Sequence, residues 1–300
     1  MSKEPFYVTT PIYYVNGEPH IGTAYTTVAT DATARFARMD GRDVFFLTGM
    51  DEHGEKVAEA AAAHGMTPQE WCDSQVTQFT ELWRALDITN DDFIRTTQPR
   101  HVKGVQDFMQ KLHDNGYLYK GTYDGYYCTP CETQFTEGDL VDGKCPDCGR
   151  EVKVIHEENW FFKLSEFGDK LLAYYDERPN FIRPQIRENE IRSFIEGGMH
   201  DLSVSRTAFD WGIPLPFDPE HVTYVWVDAL INYLTALGYG SDDTTLLERF
   251  WPANFHFVGK DIIRFHCVIW PAMLMAAGME CPRHVFAHGF LMAADGSKMS

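Results

Sequence analysis

The chain has 300 residues, with 44 acidic against 26 basic side chains and a formal charge of −18. Its 44% hydrophobic and 14% aromatic content excludes a disordered chain, and no stretch approaches the roughly 20 apolar residues of a membrane span. So acidic a balance also excludes a strong polyanion-binding face, which would need clustered Lys and Arg. The start, Met1 to Pro5, lacks the apolar region of a signal peptide. Seven cysteines, four of them in two C-x-x-C pairs, suit a reducing cytosol with a metal better than a disulfide framework. Cys72, Cys267 and Cys281 stand alone and read as buried thiols.

In chain order, Phe6 to Val15 is β-branched and aromatic and predicts a buried strand. Ile21 to Met39 predicts a helix closed by Asp40-Gly41, and Asp43 to Thr48 a second strand with Asp51-Glu52-His53-Gly54 at its C-terminal edge. Glu55 to His64 is an alanine-rich helix. Thr67-Pro68-Gln69-Glu70 joins a capping box to Pro at the first helical position and opens the next one. Phe93 to Thr97 is a third strand and His101 to Asn115 a helix. From about Tyr117 the chain turns Gly-, Tyr- and Cys-rich, as a small inserted domain would be, with helices near Glu166 to Asp176 and Glu188 to Glu196. The alternation resumes with strands at Val222 to Val227, Phe255 to Val258 and His284 to Ala287. The intervening helices are Asp228 to Leu237 and Asp261 to Ala277. This pattern predicts an α/β fold: a doubly wound parallel sheet with an insertion in its middle.

Four segments carry chemistry. His20-Ile21-Gly22-Thr23 follows a strand and opens a helix, where free N–H groups favour an anion and Gly22 admits a flat group; an ordinary helix start is the plainer alternative. Asp51 at a strand end can hold an ammonium group or simply serve a turn. Tyr224 to Tyr233 and Gly259 to His266 lie at strand-to-helix joints and read either as pocket wall or as core. Cys128-x-x-Cys131 and Cys145-x-x-Cys148 have the spacing of a closed tetrahedral zinc site of structural type.

With Gly296-Ser297-Lys298-Met299-Ser300 at the end, these segments resemble the catalytic domain of class I aminoacyl-tRNA synthetases, and specifically the methionyl type. The resemblance spans essentially the whole chain. It implies a Rossmann-like nucleotide-binding domain in two halves, residues 1–116 and 222–300, around a connective domain at 117–221 that carries the zinc knuckle. It implies ATP-dependent activation of L-methionine with Mg²⁺, then transfer to tRNA(Met), initiator tRNA included, in the cytoplasm. By the same resemblance His20, Gly22, Thr23 and Lys298 are catalytic, and with Gly259, Asp261 and His288 they bind ATP. Asp51 holds the methionine ammonium, and Ile12, Tyr14, Trp226, Ala229, Leu230, Tyr233, Ile262 and His266 wrap its side chain. Tyr233 and His266 are expected to offer polar hydrogens near the thioether. Zinc belongs to Cys128, Cys131, Cys145 and Cys148.

Thr23 departs from the family signature, which has a second histidine there, so His20 is expected to carry the phosphate contact while Thr23 reaches it through water or not at all. The chain ends within the K-M-S-K-S motif, as a truncated product would, and a helical tRNA-reading domain is expected beyond Ser300. A monomer is the expected state. Small-molecule nucleotidylyltransferases share the helix start but lack the cysteine insert and the aromatic segments. A zinc-ribbon nucleic-acid module conflicts with the acidic charge.

Overall fold

A computed structural model of the chain describes residues 3–15, 17–296 and 299. The first half alternates strands and helices: β1 (Pro5–Thr9), β2 (Tyr13–Tyr14), α1 (Ile21–Met39), β3 (Asp43–Asp51), α2 (Glu55–Ala63), α3 (Pro68–Ala85), β4 (Asp92–Arg95) and α4 (Pro99–Asp114). All pairings among these strands are parallel. β3 has β1 and β2 end to end on one side and β4 on the other, because Leu47 faces both Thr9 and Asp92. Tyr7, Val8, Phe46 and Leu47 are fully buried, as strands covered on both faces require. Thr67 caps α3 through the expected reciprocal box with Glu70, with Pro68 at the first helical position.

A long antiparallel hairpin then leaves the sheet. β5 (Leu118–Cys128) pairs with β7 (Lys153–Phe162) over ten positions, from Leu118↔Phe162 to Tyr127↔Lys153, and the short β6 (Thr133–Phe135) pairs with β5. After α5 (Gly168–Glu177), β8 (Ile182–Arg183) and α6 (Gln185–Glu196) come β9 (Leu202–Ser203), β10 (Ser205–Arg206), β11 (Pro214–Leu215) and β12 (Asp218–Thr223). β8 lies parallel to the late strand β14 (Val285–His288), so the region expected as an insertion also contributes a strand to the main sheet. β10, β12 and β11 form a small antiparallel sheet of their own.

The second half adds α7 (Val225–Thr235), α8 (Thr245–Phe250), β13 (Phe255–Gly259), α9 (Trp270–Ala276) and β14. β13 pairs with β1 in parallel and β14 with β13, which gives the spatial order β4–β3–β1–β13–β14–β8. Chain order therefore runs outward in opposite directions from the β1/β13 seam, through β3 on one side and β14 on the other, with the earlier β8 added beyond β14. Such a switch point opens a crevice at the carboxyl ends of the strands. The fold is the doubly wound α/β architecture expected.

Two second-half elements differ from expectation. Tyr224 to Val227 is not strand: α7 begins at Val225, and its residues from Val227 to Thr235 are all buried. The opening residues Tyr224 to Val227 are all aromatic or aliphatic, so no 3.6-residue pattern distinguishes that turn from a buried strand. The long helix expected from Asp261 is broken into a 3₁₀ turn (Lys260–Ile262), a π turn (Phe265–Ile269) and α9. Pro271 lacks an N–H for the Cys267 carbonyl four residues back, and the Tyr175 hydroxyl donates to that oxygen instead. Cys72, Cys267 and Cys281 are buried as expected. Among the described residues no helix is long and apolar enough to cross a membrane. Thr67→Ala, which removes one half of the α3 box, is expected to lower stability by about 1 kcal/mol in a urea titration.

Candidate active site

The crevice at the β1/β13 seam is a single cavity of about 530 Å³. Ile12, Tyr14, His20, Gly22, Thr23, Asp51, Trp226, Ala229, Leu230, Tyr233, Gly259, Asp261, Ile262, His266 and His288 all line it. Lys298 lies outside the described residues; its neighbour Met299 reaches the same cavity, with its backbone N–H donating to the Leu291 carbonyl at 2.9 Å.

One end is built from helix and strand termini. His20 is the N-cap of α1: its Nδ1 accepts the Gly22 N–H at 3.1 Å, so in the neutral ring the proton sits on Nε2. A Cβ at residue 22 would lie 2.9 Å from the His20 ring, so glycine is what lets the imidazole fold over the helix start. Thr23 is buried, and its carbonyl accepts from Thr27 one turn on. Opposite, a Cβ at Gly259 would approach the Asp261 carboxylate to 2.4 Å, so glycine leaves room for that side chain at the end of β13. His288 Nε2 lies 2.7 Å from the Thr26 hydroxyl and ties β14 to α1.

The other end is apolar and aromatic. Trp226 stacks on Phe265 with ring centroids 4.0 Å apart and meets Tyr14 edge-on at 5.9 Å. Tyr233 OH lies 2.7 Å from His266 Nε2, while His266 Nδ1 lies 3.0 Å from the Ile262 carbonyl. A carbonyl only accepts, so Nδ1 carries the ring proton and Nε2 accepts from Tyr233. Burial pushes the His266 pKa down to about 4, which keeps the ring neutral. The expected polar hydrogens are therefore both engaged inside the protein. The pair offers a guest its ring surfaces and the phenol oxygen, not a donor.

Between the two ends sits Asp51, the last residue of β3. It is buried and its Oδ1 has no hydrogen-bond partner among the described residues; the Tyr14 hydroxyl is also unpartnered. Burial pushes the Asp51 pKa well above the ordinary carboxylate range, and the neighbouring Asp228 and Glu132 carboxylates push it further. An unsatisfied buried carboxyl aimed into a cavity is costly in isolation and suits a cationic donor.

The rest of the Asp51-Glu52-His53-Gly54 turn faces inward. Glu52, fully buried, accepts from Arg95 Nε at 2.6 Å and from the Thr97 hydroxyl, and Trp211 Nε1 donates to its carbonyl at 2.6 Å. His53 Nδ1 lies 2.7 Å from Asp228 Oδ2. Gly54 has φ +104°, and a Cβ there would meet Glu132 Oε1 at 2.8 Å. Glu52, His53, Asp228 and Glu132 were missed as site-building residues, because each acts through a partner remote in sequence.

The four knuckle cysteines come together. Their Sγ atoms all lie within 4.8 Å of one another, with Cys128–Cys148 at 3.6 Å and Cys131–Cys145 at 3.9 Å. Tetrahedral zinc with Zn–S of about 2.3 Å demands S···S of about 3.8 Å, so the set could hold such an ion and would leave no open position. The knuckle also walls the cavity. Cys131 and Cys148 line it, the Cys131 carbonyl faces Trp226 Nε1 at 3.4 Å, and Lys56 Nζ donates to the Pro130 carbonyl at 2.9 Å.

The whole chain matches the family model described as tRNA synthetases class I (M), over residues 6–154 and 149–300. It therefore belongs to that family, the class I aminoacyl-tRNA synthetases of methionyl type. It is 55% identical over 301 residues to the methionine–tRNA ligase of Clostridium tetani, covering 100% of this chain and 47% of that protein. It is likewise 55% identical over 299 residues to that of Thermotoga maritima, covering 98% and 47%. The chain thus spans about half the length of the curated relatives it matches. Mycobacterium tuberculosis methionyl-tRNA synthetase bound by methionyl-adenylate overlays with a TM-score of 0.95 at 49% identity, covering 99% of this chain and 59% of that one. The apo form of that enzyme gives 0.84 at 46% identity, covering 97% and 57%.

If the four cysteines hold a metal, its chelation is expected to raise amide exchange in β5 to β7 and around Lys56 and Trp226, while β1 and β13 stay protected. Hydrogen exchange with mass-spectrometric detection reads this directly, and unchanged exchange around Trp226 would show that the knuckle wall stands without metal.

Proposed function

We propose that this chain is the catalytic part of a methionine–tRNA ligase. It activates L-methionine with ATP to methionyl-adenylate and pyrophosphate, then passes methionine to the terminal adenosine of tRNA(Met), initiator tRNA included, in the cytoplasm. The observation that carries the proposal is the unpartnered Asp51 oxygen, midway in one cavity between an aromatic box and the start of α1.

In this reading Asp51 takes the methionine ammonium by a charge-assisted hydrogen bond. Trp226, Tyr14, Ala229, Leu230, Ile12, Ile262, Tyr233 and His266 enclose the side chain, whose polarizable sulfur gains from aromatic contact. That fixes the methionine carboxylate toward His20, where Gly22 lets the nucleotide approach the backbone. Asp261 accepts from the ribose hydroxyls across Gly259, with His288 beside the adenine. His20 then donates to the phosphates as charge accumulates on them, with Thr23 supporting the same helix turn. Lys298 contributes charge to the leaving pyrophosphate, whose Mg²⁺ arrives with ATP. The carboxylate attacks the α-phosphorus in line, and the tRNA hydroxyl later attacks the activated carbonyl. No covalent enzyme intermediate is needed, so the rate comes from alignment and fixed electrostatics. Zinc on Cys128, Cys131, Cys145 and Cys148 would cross-link the knuckle and thereby hold the wall formed by Cys131 and Cys148.

Methionine-dependent ATP–pyrophosphate exchange by the full-length enzyme tests this reading. Asp51→Ala is expected to reduce the exchange rate at least about a hundredfold, the scale of losing one fixed charge-assisted contact; near-normal exchange would remove Asp51 from the site. A second prediction concerns stability. A carboxyl whose folded pKa is raised adds stability while protonated and loses it as pH rises through the folded value. Asp51→Asn is therefore expected to melt higher than wild type at neutral pH, to lose that advantage in acid, and to bind methionine poorly. Thermal melts across pH with and without methionine check all three.

A further inference from the structure

The Asp228 carboxylate is completely buried and holds one histidine on each oxygen. His53 Nδ1 lies 2.7 Å from Oδ2, and His101 Nε2 lies 2.6 Å from Oδ1. An ionised carboxylate accepts only, so both ring nitrogens must carry hydrogens at these atoms. The far nitrogen of His101, Nδ1, is 2.7 Å from the Thr235 hydroxyl, two turns further along the same face of α7. The two histidines and Asp228 come from three separate elements: the turn after β3, helix α4 and helix α7.

The placement of these partners is what gives the cluster a consequence. His53 is two residues beyond Asp51, and Asp228 sits between Trp226 and Ala229, both of which line the cavity. The His53–Asp228 bond therefore joins the segment that carries Asp51, midway in the cavity, to the wall of its aromatic end. An apolar contact of the same volume would hold the two apart equally well but would not fix their angle or register, since dispersion is not directional. Two charge-assisted hydrogen bonds to opposite oxygens of one carboxylate do fix them. Burial alone would raise the Asp228 pKa, but His53 and His101 outweigh it and hold the carboxyl below its usual range, which keeps the clamp ionised.

We propose that His53, Asp228 and His101 form a positioning clamp that sets the distance between Asp51 and the Trp226–Ala229 wall, and so determines how well the enzyme accepts the length of its amino-acid substrate. This rests on the methionine-activating reading above. Among the described residues the clamp's side-chain hydrogen bonds reach neither the start of α1 nor the Gly259–Asp261 turn, so its loss bears on the amino acid and not on the nucleotide.

The test is steady-state ATP–pyrophosphate exchange by the full-length enzyme, with methionine and ATP varied separately. His53→Ala removes the donor; His53→Asn replaces it, because the Asn amide nitrogen falls close to the place of Nδ1; His53→Gln keeps an amide but carries it one bond too far. The clamp predicts a methionine KM raised at least about tenfold in the Ala and Gln variants, with the ATP KM within about twofold of wild type and Asn restoring most of the loss. His101→Gln, whose amide nitrogen can reach the place of Nε2, is expected to outperform His101→Ala in the same way. Should His53→Ala not fold, the Gln and Asn pair carries the test alone. Equal rises in both KM values, no difference between Gln and Asn, or an unchanged methionine KM would each overturn the clamp. A wild-type enzyme without methionine-dependent exchange would overturn the underlying function instead.

Discussion

The pairing of β1 with β13 is the constraint from which the rest follows. Val8 faces Phe255 and Thr9 faces His256, strands separated by most of the chain. The seam is reinforced along its length: Tyr7 N–H donates to the Asn254 side chain at 2.8 Å, Asn254 N–H returns a bond to the Tyr7 carbonyl at 2.8 Å, and Thr9 Oγ1 meets His256 Nδ1 at 2.8 Å. All of these groups are buried, where an unmade hydrogen bond is costly and the register is accordingly well specified. Because both strands are parallel and end at the same edge, the turns that follow them face one another across the crevice. The helix start at His20 and the Gly259–Asp261 turn are neighbours for that reason alone.

On this frame the two chemical ends of the cavity are built by different means. The polar end uses backbone termini, which a doubly wound sheet supplies without special side chains. The apolar end uses the buried helix α7 and the π turn at Phe265–Ile269, where His266 meets Tyr233. The Tyr233 and His266 hydrogens are spent within the protein, so in the proposed function selectivity at this end rests on shape and aromatic contact. A pocket of that kind separates substrates one methylene apart by only about 10–200-fold. Accurate register between Asp51 and the wall then matters more than it would in a site with a specific donor for the guest.

Local patterns were legible in the sequence and remote pairings were not. The Thr67–Glu70 box and the two C-x-x-C pairs act within a few residues, so spacing alone exposes them. The strand and helix alternation likewise follows from periodicity, except where it vanishes: Tyr224 to Val227 looks like strand because the opening of α7 has no polar residue to mark its turn. The helix expected after Asp261 departs from regular α geometry ahead of Pro271, where the Tyr175 hydroxyl satisfies the Cys267 carbonyl. Asp228 is the sharpest case. Within Trp-Val-Asp-Ala it looks like one more helical residue, and only folding brings His53 and His101 to its two oxygens.

The knuckle illustrates the same limit from the other side. Its cysteine spacing announces a metal site, yet nothing in the spacing says that the Pro130 and Cys131 carbonyls reach Lys56 and Trp226 and so complete the cavity wall. A structural element thereby becomes part of the cavity wall. The most direct test of the whole account is a crystal structure of the protein with methionine bound. The account places the ammonium within about 3 Å of Asp51 Oδ1 and the thioether between Trp226 and Tyr233; methionine bound elsewhere, or with its ammonium turned away from Asp51, would contradict it.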